Sequence, residues 1–509
     1  MDSKVVAAAR QAFPDAPSIT LGAVVHQGEC DPQPVVRVPL AMLNRHGLIA
    51  GATGTGKTRT LQLIAEQLSN AGVPVLVADV KGDLTGVAVA GEANDRVTKR
   101  ATETGFNWKG SAFPVEFLSL TGARGAQLRA TVSSFGPLLL AKVLGLNETQ
   151  TSVLAMVFKY CDDQKLPLLD FHDLRAVLQY LSGPGADALV EYGGMSKATV
   201  GVLLREMVEL EQQGAEAFFG EPEFELEDLI QIERDGRGLV SVLELADVQD
   251  KPALWSTFLM WMLARLYHEL PEAGDLDKPK LVFFFDEAHL LFDGASKAFR
   301  DQIEQVVRLV RSKGVGVFFI TQSPKDIPAD VLGQLGNRVQ HALRAFTPED
   351  EKALKAAART FPNTPFYDIE ETLTTLGIGE ALITVLAPNG APTPPFATRL
   401  IPPAGRMGTL DDAEFAQRLA TPQVKRYAAA IDRESAREML AAKMASSEPA
   451  PAQETAKGGA SADAGSDVAS TLAGMLNSPI LKIIAGRATT QVMRGLMGAL
   501  VGTPRRRRR

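Results

Sequence analysis

The chain has 509 residues, 45% of them hydrophobic and 22% charged, with a net charge of −7. That profile builds a globular core and excludes a collagen-like or wholly disordered chain. Two cysteines, Cys30 and Cys161, exclude a disulfide framework and a Cys-x-x-Cys metal knuckle. No apolar run reaches the roughly 18 residues of a membrane span, and residues 1–10 lack the apolar stretch of a signal peptide. A reducing cytoplasm is therefore the expected location.

Residues 1–40 read as a short β lead-in. A helical start precedes the strand Ser18-Ile19-Thr20-Leu21-Gly22-Ala23-Val24-Val25, with Val35-Val36-Arg37-Val38 as its partner. The apolar segment His46-Gly47-Leu48-Ile49-Ala50 predicts a buried strand, and it runs directly into Gly51-Ala52-Thr53-Gly54-Thr55-Gly56-Lys57-Thr58. This is the phosphate-loop pattern of glycine, four residues, then Gly-Lys-Ser/Thr. The glycines let backbone N–H groups turn inward on phosphate oxygens. Lys57 is placed to reach the β- and γ-phosphates of ATP, and Thr58 to put its hydroxyl on Mg²⁺. Leu61, Ile64, Ala65 and Leu68 follow at helical spacing, so strand, loop and helix come in the order the motif requires. A dinucleotide site fits less well, because the glycines do not fall as Gly-x-Gly-x-x-Gly and Lys-Thr has no role there.

Pro74-Val75-Leu76-Val77-Ala78-Asp79 predicts a second buried strand ending in an acid. Ligands bind at the carboxyl ends of parallel strands, which places Asp79, Lys81 and Asp83 near the site. A plain turn-capping role for Asp79 is the competing reading. Val115-Glu116-Phe117-Leu118-Ser119-Leu120 predicts a further strand. From 122 to 235 the spacing turns helical, with helices expected over 136–146, 150–160 and 199–212, and this stretch reads as an insertion. Within it, Leu181-Ser182-Gly183-Pro184-Gly185 has a faint likeness to the transporter-ATPase signature. It lies far upstream of the acidic strand that such a signature should shortly precede, and it reads as a helix terminus.

The α/β pattern resumes with Gly238-Leu239-Val240-Ser241-Val242-Leu243-Glu244-Leu245 and a helix over 252–269. Lys280-Leu281-Val282-Phe283-Phe284-Phe285-Asp286-Glu287-Ala288-His289 is then a fully apolar strand ending in two acids, the Walker B pattern. Asp286 is the expected Mg²⁺ ligand and Glu287 the general base toward water. A helix over 299–313 leads to the strand Gly316-Val317-Phe318-Phe319-Ile320 and its tip Thr321-Gln322, where Thr321 and Gln322 are the candidates to bridge water and γ-phosphate. Gly336-Asn337-Arg338-Val339-Gln340-His341-Ala342-Leu343-Arg344 alternates as a strand, Thr347-Pro348-Glu349-Asp350 opens a helix, and 379–386 is the last expected strand. The expected organisation is an α/β core over 41–121 and 236–400, a helical insertion over 122–235 and C-terminal helices over 401–445. A disordered Ala/Ser/Gly/Pro-rich linker over 446–470 and a basic tail over 471–509 complete it. The tail carries eight cations and no acid on an otherwise acidic chain. A membrane-surface helix, a packed terminus with solvated arginines and a phosphate-tracking arm are its three readings.

Taken together, these motifs resemble the HerA–FtsK superfamily of phosphate-loop ATPases, and within it the bacterial HerA-like helicases. The likeness rests on residues 46–58, Asp79-Val80-Lys81-Gly82-Asp83, Phe285-Asp286-Glu287-Ala288-His289, Thr321-Gln322-Ser323-Pro324 and the stretch from Asn337 to Arg344, and it spans about residues 18–400. The resemblance implies a RecA-like fold with a mainly parallel sheet, hexameric rings that pump duplex DNA, and ATP held between subunits. It also implies an arginine reaching the γ-phosphate from the neighbour. Arg338 is the residue at that position, with Arg344 second; an ordinary strand arginine paired with an acid is the alternative for Arg338. Members usually pair with a nuclease through an N-terminal β-barrel, whereas the lead-in here is short, which leaves the protein partner open. No zinc finger, helix-turn-helix or aromatic-basic platform marks a DNA surface. Three functions compete: a ring ATPase that moves along DNA, an ATP-driven assembly switch or scaffold acting on proteins, and a motor feeding a secretion channel. The missing membrane segment disfavours the last.

Overall fold

The computed structural model describes residues 1–274, 276–293 and 297–447. The expected linker beyond Ser447 and the basic tail lie outside the described residues. Twelve strands form one sheet: β1 (Ser18–His26), β2 (Glu29–Pro39), β3 (Gly47–Ala50), β4 (Val75–Asp79), β5 (Val115–Ser119), β6 (Ala126–Gln127), β7 (Val240–Glu244), β8 (Leu281–Phe285), β9 (Val315–Thr321), β10 (Asn337–His341), β11 (Glu380–Thr384) and β12 (Phe396–Leu400). Their order is β2-β1-β12-β11-β10-β3-β9-β8-β4-β7-β5-β6. Neighbours from β10 to β6 run parallel, while β11, β12, β1 and β2 continue the same sheet antiparallel.

The central strands read as unbroken apolar runs because both faces are covered. Alternation within each strand still sorts the side chains. On β8, Phe283 and Phe285 enter one core with Trp255, Phe258 and Trp261 of the helix Pro252–Glu269. Val282 and Phe284 enter the other, against Leu61, Ile64 and Leu68 of the helix Lys57–Asn70. The helices Glu148–Gln164, Phe171–Leu181 and Lys197–Gln212 of the insertion join the first core. The suspected transporter signature sits at the end of the second of these, as a helix terminus. The β1–β2 hairpin turns on Gln27 and Gly28, both at positive φ (51° and 82°), the geometry that matches strand twist in a two-residue loop.

β1 of the lead-in pairs with β12 and so belongs to the main sheet. β12 itself was hidden because Pro392, Pro394 and Pro395 precede a run of only five residues, and proline argues against a strand. Beyond it, residues 401–410 form an irregular strap, followed by the helices Asp412–Arg418, Pro422–Ala428 and Ala436–Ser447. No helix among the described residues is long and apolar enough to cross a membrane.

Candidate active site

The phosphate loop leaves β3 at its carboxyl end and enters the helix Lys57–Asn70 through Gly56. Gly51, Gly54 and Gly56 all take positive φ, at 153°, 76° and 117°. A Cβ on Gly51 would lie 2.5 Å from Cβ of His341, so this position also needs glycine for space. The loop is tied to its surroundings at several points. Ala52 N donates to Ala342 O at 2.9 Å, Gly51 N to Thr321 O at 3.3 Å, and Gly379 N to Thr55 O at 2.9 Å. The Thr55 hydroxyl donates to Ala52 O at 2.7 Å. Thr60 Oγ1 meets His341 Nε2 at 2.8 Å, and burial pushes His341 down to about 4, so the ring is neutral at physiological pH.

Lys57 is buried, which lowers its pKa, and its ammonium donates to Gly51 O at 2.7 Å and Ala52 O at 3.2 Å. It also lies within electrostatic range of Asp286 and Glu287. The Walker B acids follow β8, two strands from β3 across β9. Asp286 N donates to Ala78 O at 3.2 Å and Ala288 N to Ile320 O at 2.8 Å, which fixes the turn between β4 and β9. Glu287 is held at φ 48°, a conformation that costs a non-glycine residue about 1–2 kcal/mol. Its Oε1 is ion-paired with Lys81, and His289 Nδ1 lies 3.2 Å from its Oε2 without hydrogen-bond geometry.

The residues fit a magnesium ion. Asp286 Oδ2 is buried with no hydrogen-bond donor, and burial, with the Glu287 charge added, pushes the carboxyl up to about 7. The Thr58 hydroxyl, at the first turn of the next helix, takes no hydrogen bond from a described residue. One carboxylate and one hydroxyl are what the protein supplies to an ion that keeps water and phosphate as its other ligands. Beside Asp286, Asp79 accepts from the backbone N–H groups of Lys81, Gly82 and Leu84 at 3.2, 2.8 and 2.9 Å, the turn-capping role. Burial still pushes it up to about 6.

Thr53, at the loop tip, and Gln322, at the end of β9, line one cleft of about 900 Å³ with His289, Arg300, Lys325 and Arg344. The Thr321 hydroxyl is engaged with Asp326 at 2.7 Å, so of the two β9-tip residues it is Gln322 that lines that cleft. A second cleft of about 450 Å³ opens beside Gly56, lined by Arg59, Arg100, Ile378, Pro403 and Met407. Arg100 donates to the carbonyls of Gly379 and Ile378 at 3.0 and 2.8 Å, and Glu66 accepts from Ala404 N and Gly405 N at 2.6 and 2.9 Å. These contacts fix the two walls, and sequence reading found neither of them. Their partners lie some 280 and 340 positions away along the chain.

Arg338 lies on β10, the strand that the alternation suggested. Its guanidinium donates to Leu335 O, Thr360 O and Leu332 O at 3.2, 2.6 and 3.2 Å, so it staples β10 to the segments on either side. Among the described residues no acid pairs with this half-buried side chain. Arg344 is exposed in the cleft of its own phosphate loop. A different arginine cluster stands at the opposite, amino-terminal ends of β3 and β9. There Arg45, Arg308 and Arg311 line a cleft of about 440 Å³. Among the described residues Arg45 Nε is buried without a partner and Arg308 has a loose contact with Glu304 at 4.0 Å, while Arg311 is exposed and Glu272 shares the lining. The signal in the sequence was the run Arg308, Arg311 and Lys313 just before β9.

Comparison with known proteins agrees with this geometry. Over 362 residues the chain is 24% identical to the DNA double-strand break repair helicase HerA of Sulfurisphaera tokodaii, covering 68% of this chain and 64% of that one. It is 29% identical over 154 residues to the probable helicase MJECL08 of Methanocaldococcus jannaschii, 28% of each chain. The chain therefore spans less than two thirds of the length of these relatives. Among solved structures, the plasmid coupling protein TrwB bound to the GTP analogue GDPNP superposes with a TM-score of 0.50 at 13% identity, over 79% of this chain and 95% of that one, a likeness of fold. The model of the Helicase HerA-like C-terminal family matches residues 25–508, and the chain belongs to that family.

Proposed function

We propose that the protein is a Mg²⁺-dependent ATPase that works as a ring, of six subunits by family resemblance, and couples hydrolysis to movement along duplex DNA. The observation that carries the chemistry is the convergence of Lys57, Asp286 and Glu287 at the carboxyl ends of β3 and β8, which flank β9, with Thr58 one residue after the lysine. The loop N–H groups and Lys57 hold the β- and γ-phosphates. Thr58 and Asp286 hold the ion, which when bound neutralises charge on the phosphates. Glu287 accepts the proton of the attacking water, and Gln322 orients that water from the β9 tip. The cleft beside Gly56 takes ribose and base between Arg59 and Met407.

The trans-acting cation is assigned to the Arg45–Arg308–Arg311 cluster. An arginine that serves a neighbour must be uncommitted and must face away from its own nucleotide. Arg338 fails the first condition and Arg344 the second, whereas the cluster meets both. A head-to-tail ring brings two different surfaces of the subunit together, and this assignment makes the amino-terminal strand ends the surface that meets the nucleotide of the next subunit. Movement on DNA is inferred from relatives that carry the helicase name.

The deciding experiment measures ATP turnover with and without linear duplex DNA, alongside the particle mass. Faster turnover with DNA in a ring-sized particle is the expected result. Turnover indifferent to DNA, in a particle that does not bind it, would replace this reading with the assembly switch.

A further inference from the structure

Lys81 follows β4 in the turn that Asp79 caps. Three hydrogen bonds from the turn to the Asp79 carboxylate fix the backbone there, while the Lys81 side chain is 46% exposed on a flexible stem. Its ammonium is ion-paired with Glu287, which is 7% exposed. Lys57, Lys81, Asp286 and Glu287 thus form one cluster of two ammonium groups and two carboxylates. In this arrangement each ammonium is turned onto an acceptor of its own chain. Lys57 caps the loop carbonyls, and Lys81 holds one oxygen, Oε1, of the carboxylate read as the base.

A γ-phosphate brings more negative charge into this cluster than a single carboxylate does, and a terminal phosphate attracts a nearby ammonium correspondingly more strongly. ADP, which ends at the β-phosphate, does not bring that charge to the same place. We infer that Lys81 reports the γ-phosphate to the base. It pairs with Glu287 when the site is empty or holds ADP, and moves to the γ-phosphate when ATP binds, which frees Glu287 to face the attacking water. Lys81 is a positioning residue, acting through Glu287, and the inference rests on the ATPase reading above. It links hydrolytic competence to the presence of the bond to be broken.

The test uses the full-length protein and isothermal calorimetry with Mg·ADPNP and Mg·ADP. Lys81→Ala should weaken ADPNP about tenfold, the loss of one charge-assisted contact, and change ADP less than about twofold on the same scale. Lys81→Arg should restore most of the ADPNP affinity. A double-mutant cycle of Lys81→Ala with Glu287→Gln, read as the shift in unfolding midpoint, should show coupling in the empty and ADP-bound protein and lose it with ADPNP. Equal weakening of both nucleotides, or coupling that persists with ADPNP, would make Lys81 a fixed structural partner of Glu287 and overturn the inference. If the wild-type protein binds neither nucleotide, the ATPase reading falls first and the role of Lys81 falls with it.

Discussion

Glu66 offers a test of how the nucleotide cleft is held. It lies on the phosphate-loop helix, is 2% exposed, and accepts from Ala404 N, Gly405 N and Gln62 Nε2. Burial pushes it from 4.5 up to about 7, and these hydrogen bonds recover only part of the cost. Its folded value lies above its unfolded one, so the stability it contributes is complete below pH 4.5 and is lost as pH rises through 7. The full displacement is worth at most about 3 kcal/mol at ~1.36 kcal/mol per pH unit, of which about 2 kcal/mol falls between pH 5.5 and 8.5. Glu66→Gln does not titrate. It keeps one acceptor oxygen but turns an N–H toward Ala404 N–H or Gly405 N–H, a cost of about 1–3 kcal/mol. Equilibrium urea unfolding of both proteins at the two pH values isolates Glu66, because the other buried acids cancel in the difference. The variant should be the less stable at pH 5.5, and the gap should close by about 2 kcal/mol at pH 8.5. Parallel stability curves would refute the reasoning. ATP affinity should fall severalfold in the variant, since Ala404 and Gly405 carry the wall with Pro403 and Met407.

Lys57→Ala should abolish nucleotide binding measured by calorimetry, and Glu287→Gln should retain binding while turnover drops at least about a hundredfold; native turnover in the latter would remove Glu287 as the base. Arg338→Ala should lower stability by about 2–4 kcal/mol in denaturation, because three carbonyls lose a donor. Arg311→Ala should leave stability within about 0.5 kcal/mol, as for an exposed side chain, yet cost about 10³-fold or more in turnover. Verified mixed rings of Lys57→Ala and Arg311→Ala subunits should recover activity that neither has alone, and failure to do so counts against a trans role. Removing residues 505–509 should weaken duplex binding and lower the log–log salt slope by up to about 4, while DNA-free turnover stays unchanged.

The ends of the parallel strands were legible because the chemistry there is local. A glycine loop, its lysine and threonine are consecutive, and the two acids follow one apolar run. The sheet order was not legible, since it depends on which strand lies beside which. Arg338 shows the limit well. Position and alternation put it on a strand, but whether a guanidinium is free or spent depends on carbonyls at Leu332, Leu335 and Thr360, which no pattern reports. His46, Asn337 and His341 show the converse. They lie in the stretches that carry the resemblance, and the structure uses them as fasteners: His46 Nδ1 accepts from Val317 N, Asn337 Nδ2 donates to Met42 O and His46 O, and His341 holds Thr60. A residue that fixes the strands behind a catalytic loop recurs in the same motif as the loop without touching substrate.

The site is assembled against the stability of the fold that carries it. Asp79, Glu244 and Asp286 close three adjacent strands. Burial first, and neighbouring carboxylates second, push the last two up to about 7. Glu244 Oε1 and Asp286 Oδ2 are buried without donors, each a cost of about 1–3 kcal/mol, and Glu287 adds its backbone strain. None of this helps the empty protein, and a divalent cation inverts the sign for Asp286, because the charge that burial disfavours becomes the charge that the ion requires. Asp286→Asn should therefore raise the unfolding midpoint of the empty protein at pH 8, where the native carboxylate is ionised. It should also abolish the extra stabilisation that Mg·ADP gives over ADP alone. For the native protein, ligand at a hundred times its dissociation constant adds about 2.7 kcal/mol. Thermal unfolding with ADP, in EDTA and in Mg²⁺, separates the two effects. If the variant gains as much from Mg²⁺ as the native protein does, Asp286 does not hold the ion, and its raised pKa is only the cost of a buried acid.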